Sequence, residues 1–246
     1  RGLFLRELLK TGLSIRHCDL FVLGGGGLFA DDESKKAVFL WGLHLFAAKF
    51  FHKKIRVESI GVGPLINKLS AYFTKKALGG IKEISVRDKS SQELLSSLGI
   101  DSELSHDPVF DLNVRQQRNI KDATGSSYKV PYIILSLRPW KTFDQKSYKI
   151  IAQALDSIVA KYGLVIRFIP FQKAPQNDAS IMNKIVALME YGRKVFIHPY
   201  GMSVDEILEE MRGAEMVIGM RLHSVILAIL AETPFVMLKY SQKNEA

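Results

Sequence analysis

Asp19-Leu-Phe-Val-Leu-Gly-Gly-Gly-Gly27, followed by a stretch from Lys35 to Phe50 and then by Ile55-Arg-Val-Glu-Ser-Ile-Gly61, decides the fold of this 246-residue chain. Asp19 to Leu23 is a short apolar run ending in glycines, which suits a buried strand that leads into a tight turn. Lys35 to Phe50 is too long for a strand and reads as a helix, and Ile55 to Gly61 reads as the next strand. Strand, glycine turn, helix, strand is the repeating unit of an α/β layer with parallel strands.

The alternation continues outward from this unit. Asn67 to Leu78 is predicted helical and stopped by Gly79-Gly80, Glu83 to Val86 a strand, Ser90 to Leu98 a helix closed by Gly99, and Asp101 to Pro108 the end of the half. Asn113 to Lys129 loses its apolar period, which places a linker there and divides the chain into residues 1–124 and 125–246. Beyond it, strands are predicted at 132–137, 165–169, 195–197, 216–218 and 235–238, with helices at 145–161, 178–191, 204–211 and 222–231. The expected architecture is therefore α/β: two Rossmann-like domains with mostly parallel sheets facing a cleft, ligands binding outside the carboxyl ends of the strands.

Composition narrows the function classes. With 47% hydrophobic and 24% charged residues the chain is a folded globular protein. Its one cysteine, Cys18, excludes an intrachain disulfide and fits a reducing cytoplasm. Arg1 to Arg16 has no apolar core with a cleavage site, so it does not read as a signal peptide. Ala37 to Phe51 is shorter than the roughly 18–20 apolar residues of a membrane span and reads as a buried helix. A place at a membrane surface is the minor reading for it, since enzymes acting on lipid-linked sugars work there. The net charge of +9, with Lys and Arg spread along the chain, favours anionic ligands. With no nucleic-acid motif, these are expected to be phosphorylated small molecules rather than nucleic acid.

Residues just after strands carry the candidate chemistry. The amides of Gly25 and Gly26 can approach a ligand, but the spacing is neither a dinucleotide fingerprint nor a phosphate loop of nucleotide hydrolases, and a plain tight turn is an equal reading. Arg87 faces a cleft or a surface ion pair, and Asp88 reads as a helix N-cap. Arg138, ending Ile133-Ile-Leu-Ser-Leu137, suits forked binding of a carboxylate or phosphate. Gln172 suits ligand hydrogen bonding, and Asp178 reads as an ordinary cap. In Val217-Ile-Gly-Met-Arg-Leu-His-Ser224 a strand breaks at Gly219 and a helix begins near Leu222. Arg221, His223 and the first helical amides at Leu222 then combine a permanent cation, a group titrating near neutrality and backbone donors. His106 and His198 lie in no metal-ligand spacing and no nucleophile elbow occurs, so neither a bound metal nor a serine hydrolase is expected.

Taken in order, Gly24 to Gly27, Ile60-Gly-Val-Gly-Pro64, Ser85-Val-Arg-Asp88 with Glu93-Leu-Leu95, His106-Asp-Pro108, Leu135-Ser-Leu-Arg-Pro139, Pro170-Phe-Gln172 with Asp178, and Gly219-Met-Arg-Leu-His223 resemble the polysaccharide pyruvyl transferase family. The resemblance implies a fold similar to the GT-B glycosyltransferases, with an acceptor-side first domain and a donor-side second domain. It also implies transfer of a pyruvyl group from phosphoenolpyruvate to a sugar of a cell-surface polysaccharide, as a ketal, with release of phosphate. Arg138 and Arg221 would then hold the donor, and His223 would supply a proton or bind phosphate. Phosphoenolpyruvate is a co-substrate, so no cofactor is expected; the partners are a sugar or lipid-linked saccharide and, at most, the inner face of a membrane. The family's opening strand with its Gly-Asn-x-Gly-Asp turn and its closing helix are missing, which reads as an incomplete chain. The alternatives are a GT-B-like glycosyltransferase using a nucleotide sugar and a degenerate sugar-binding module.

Overall fold

The computed structural model describes residues 2–32, 35–112, 130–140, 143–173 and 177–238, with the side chains of 2–9 and 35 left aside. The chain forms two compact units that divide between Pro108 and Val109. The boundary expected at 124/125 falls within 113–129, outside the described residues.

The first unit runs α1 (Gly2–His17), β1 (Leu20–Gly24), β2 (Gly27–Phe29), α2 (Lys35–Phe50), β3 (Lys54–Val62), α3 (Lys68–Leu78), β4 (Glu83–Val86), α4 (Lys89–Ser97) and β5 (Glu103–Leu104). All its strand pairs are parallel, in the order β1-β3-β4-β5, with β2 also on β3. Helix α1, which the sequence pattern does not mark, packs on α2.

The glycine run is not the strand-to-helix turn that the sequence suggests. Leu20 to Gly24 pairs with Lys54 to Glu58, and Gly27 pairs with Gly61 in the same register, so β1 and β2 are one strand interrupted at Gly25-Gly26. Both of those glycines have φ +70°, a conformation that other residues adopt at a cost.

The pleat sorts this sheet into two faces. Phe21, Leu23, Val57, Ile84 and Val86 belong to a core shared with Val38, Leu45, Leu78 and Leu95 of the helices. On the alternate face Leu20 and Val22 are exposed, and Arg56 bridges Glu58 at 2.9 Å and Glu83 at 3.5 Å. Helix α2 is only half-buried, correcting the expectation of a buried helix: Val38, Leu45 and Ala48 face the core, while Leu43 and Phe50 face solvent. It meets α3 through Phe73, which lies within ring contact of Phe39 and Phe46 and fills the notch above Gly42. A Cβ at Gly42 would run into the Phe73 ring. Gly42→Ala is accordingly expected to destabilise the protein by about 1–3 kcal/mol through overpacking. Urea denaturation checks it, and Gly42→Ala with Phe73→Leu should recover part of the loss.

The second unit contains β6 (Tyr132–Ser136), α5 (Gln145–Tyr162), β7 (Val165–Phe168), α6 (Asp178–Val186), β8 (Val195–Ile197), α7 (Val204–Arg212), β9 (Met216–Gly219), α8 (Leu222–Leu230) and β10 (Phe235–Met237). Its sheet is parallel throughout, in the order β10-β9-β6-β7-β8. Tyr148, Leu155, Ile181 and Met182 of α5 and α6 fill one core, and Ile207, Met211, Leu227 and Ala228 of α7 and α8 fill another. Right-handed crossovers produce this two-sided arrangement when the chain winds outward from β6 in one direction and then in the other. Helix α6 ends at Val186, short of the expected Tyr191. There the Asp156 carboxylate of α5 accepts the amides of Glu190 at 3.0 Å and Tyr191 at 2.9 Å and holds the chain in a turn.

Candidate active site

The strand order of the second unit reverses between β6 and β9, so the carboxyl ends of these two strands form its switch point, the place where open α/β sheets bind ligands. Ser136 and Gly219 are register partners, and the Met220 amide donates to the Ser136 carbonyl at 2.8 Å. Arg138 and Arg221 each stand two residues beyond that pair, so the fold brings the two predicted arginines to one edge. Gln172 follows β7, the other neighbour of β6.

The tight exit from β9 makes glycine obligatory at position 219, because a Cβ there would strike the Ser224 hydroxyl. Arg221 is the N-cap of α8 and contributes no side-chain cap; its carbonyl accepts from the Ser224 amide at 3.0 Å and the Ser224 hydroxyl at 2.6 Å. Leu222 opens the helix, and His223, one residue on, is exposed. Arg138 is 7% exposed, with its guanidinium 5.3 Å from the centre of the Trp140 ring.

Asp178 is more than the ordinary cap it resembles in sequence. Asn177 holds the N-cap position of α6, and Asp178, 0% exposed, accepts both Arg221 Nε at 2.8 Å and Arg221 Nη2 at 2.6 Å. One of its oxygens also takes the amides of Phe171 at 3.0 Å and Gln172 at 2.9 Å. One buried carboxylate thus ties the loop after β7 to the loop after β9. The fork occupies two of the three guanidinium nitrogens of Arg221 and orients the third, Nη1.

In the first unit Arg87 follows β4 as expected, and Asp88 caps α4 by accepting the Ser91 amide at 2.7 Å. Arg87 Nη1 donates to Asp107 at 2.7 Å, and the guanidinium packs so closely over Gly61 that a Cβ there would lie 3.1 Å from Nε. Gly25 donates its amide to the Glu58 carbonyl at 3.1 Å, so that amide is spent on the sheet; the Gly26 carbonyl accepts from Gly61 at 2.8 Å. Asp31, 6% exposed, accepts the amides of Ile66 at 2.7 Å and Asn67 at 2.9 Å. Asp31, Asp107 and the clamp role of Asp178 escaped the sequence reading. Asp31 and Asp107 share one signal, an acidic residue two or three positions past a strand end, and it is a weak one; Asp178 stands instead at a helix start.

His198 lies elsewhere. Its ring faces Glu210 of α7 at 3.5 Å, a long electrostatic contact, while Arg167 donates to the same carboxylate at 2.7 Å and stacks 3.7 Å from the centre of the Tyr132 ring. Burial, with the Glu210 charge, pushes the Tyr132 phenol up to about 12 against the opposing pull of Arg167, so it stays a neutral donor to the Glu210 carbonyl. For Glu210, burial raises the carboxyl pKa, but His198 and Arg167 outweigh it and hold the group below its ordinary 4.5. A carboxylate with a lowered folded pKa contributes stability above its unfolded pKa and loses it as pH falls through the folded value. Glu210→Gln is expected to flatten the stability profile below about pH 4.5. Denaturation midpoints collected across the acid range would show an unaltered slope if the pairing were unimportant.

These features define the class: an α/β protein of two Rossmann-like, GT-B-like units, with paired arginines at a switch point. The model of the polysaccharide pyruvyl transferases matches residues 2–242, and the chain belongs to that family. Solved structures share the fold at low identity. UDP-bound MnaA of S. aureus is 12% identical with a TM-score of 0.67, over 98% of this chain and 65% of that one. The UDP-GlcNAc 2-epimerase of Methanocaldococcus jannaschii is 13% identical with a TM-score of 0.64, over 97% and 68%. A Listeria monocytogenes protein assigned as a UDP-N-acetylglucosamine 2-epimerase is 12% identical with a TM-score of 0.64, over 94% of this chain but only 60% of its own length. Among curated proteins none matches.

Proposed function

We propose that the protein is a transferase moving a pyruvyl group from phosphoenolpyruvate to a sugar of a cell-surface polysaccharide or its lipid-linked precursor. The observation that carries this reading, beside family membership, is the convergence of Arg138 and the Asp178-oriented Arg221 at the β6/β9 switch point. Phosphoenolpyruvate presents a carboxylate and a phosphate to bind, and one guanidinium at the start of α8 with another just beyond β6 match that demand. The Asp178 clamp leaves one face of Arg221 for the ligand and fixes its direction before binding, which lowers the ordering cost. Gln172 and the amide at Leu222 supply neutral donors at the same edge. In the first unit, Arg87 and the Gly25-Gly26 interruption mark the carboxyl end on which the acceptor is expected to bind.

In this reading His223 donates a proton to the terminal methylene carbon of the enol, which becomes the methyl group. The oxocarbenium centre at the neighbouring carbon takes one sugar hydroxyl, its bond to the phosphate oxygen breaks, and a second hydroxyl closes the ketal. Two hydroxyl protons leave; one balances that gained by the methyl carbon and the other departs with phosphate. His223 is exposed at the second position of α8, where solvent can return its proton.

The test incubates the protein with phosphoenolpyruvate and a panel of cell-envelope sugars, reading phosphate release and the mass of the ketal. Ketal formation that disappears in His223→Ala is expected. Absence of phosphate release with every acceptor, together with nucleotide release from a nucleotide sugar, would replace this reading with glycosyl transfer.

A further inference from the structure

The outer face of α2 and α3 is both apolar and depleted of acid. Phe50 is 77% exposed, Ile66 75%, Tyr72 60% and Leu69 59%. On α3, Leu69 lies one turn before Phe73, the ring that seats on Phe46 of α2, and Tyr72 is the i+3 neighbour of Leu69. Exposed apolar residues scattered singly need no explanation, but Ile66, Leu69 and Tyr72 recur at every third position and so share one side of α3 and its approach, while Phe50 ends α2.

Charge selects the partner. From Lys36 to Lys82 the chain carries nine Lys or Arg and a single acidic residue, Glu58, so nearly all of the net charge of +9 resides there. Neither α2 nor α3 contains Asp or Glu. Basic residues occur along the whole sequence; what marks this segment is the missing acid. Lys68 and Lys76 are exposed beside the apolar row, and Lys76 Nζ lies 5.7 Å from the centre of the Tyr72 ring. Lys49 is bound inward, to the carbonyls of Lys76 at 3.2 Å and Gly79 at 2.7 Å, and burial lowers its pKa. It fastens the two helices together, while the other lysines remain at the surface. A second copy of this chain would set like charges face to face.

We infer that the α2–α3 face is a docking surface for an anionic lipid bilayer. Phe50, Leu69 and Tyr72 enter the boundary between headgroups and acyl chains, and the lysines rest on anionic headgroups. No helix among the described residues is long and apolar enough to cross a membrane, and the contact inferred for this face is a peripheral one. It rests on the first unit alone and is independent of which donor the enzyme uses.

The full chain is mixed with vesicles of phosphatidylglycerol and phosphatidylethanolamine, and in parallel with pure phosphatidylcholine vesicles, and sedimented. Binding to the anionic vesicles, reversed by high salt, is expected, with little on phosphatidylcholine. Phe50→Ser with Leu69→Ser should lower partitioning at least about tenfold, and Lys68→Glu with Lys76→Glu at least about fivefold. Both are surface changes, so melting temperatures should hold, and Ile150→Ser, an exposed apolar control on α5, should bind as the wild type does. The inference is overturned by wild-type protein that stays in the supernatant, or by the paired variants binding undiminished. It is equally overturned by concentration-dependent self-association, without vesicle binding, that Leu69→Ser abolishes, because a second copy would then cover the face.

Discussion

Asp178→Ala is expected to lower the unfolding free energy by about 3–5 kcal/mol, because it strands the Arg221 guanidinium, only 15% exposed, without its carboxylate. The same change removes the acceptor for the Phe171 and Gln172 amides, so the loop after β7 loses its anchor as well. Asp178→Asn keeps a carbonyl oxygen that can accept both amides and should cost less. Joining Asp178→Ala to Arg221→Met, which removes both charges, is expected to regain part of the loss, since a buried pair is far more costly to break than to replace. Chemical denaturation measures all three. A change below about 1 kcal/mol in the single alanine variant would show that water compensates the arginine and that the clamp contributes little.

The second large effect is on turnover. In the proposed reaction, Arg138→Ala should reduce kcat/KM for phosphoenolpyruvate-dependent phosphate release by about 10²–10³-fold, the scale on which one preorganised charge-stabilising group acts. Arg138→Lys keeps the charge but not the planar fork and should fall between alanine and wild type. Melting curves separate this from misfolding. Arg138 is 7% exposed, so a folded variant with reduced kcat/KM places it at the donor, and a folded variant with undiminished kcat/KM removes it. A change confined to KM would instead mean that Arg138 binds the donor and the transition state equally.

Most elements were legible in sequence, for local reasons. Glu83 to Val86 and Val195 to Ile197 are bounded as expected, and Lys35 to Phe50 and Gln145 to Tyr162 fall within a residue of expectation, because apolar period, caps and glycine stops are local signals. The Asp88 cap was legible for the same reason. Gly24 to Gly27 was misread because a run of glycines has the same local appearance in a turn and in an interrupted strand; only pairing with Glu58 and Gly61 distinguishes them. Helix α6 was read too long because its stop is a carboxylate from another helix, Asp156.

For the site, the sequence by itself determined the kind of residue at each strand end: Arg138 after β6, Gln172 after β7, and Arg221 with His223 after β9. It could do so because a strand and the helix after it are consecutive in the chain. Only the tertiary structure decided that these ends meet. Strand order is set by long-range pairing and crossover handedness, which place β6 between β7 and β9 although β9 lies eighty residues further along the chain. It likewise decided that Asp178, by position an ordinary helix-start residue, is the buried partner of Arg221 43 residues away, because burial in the folded protein requires an opposite charge beside it.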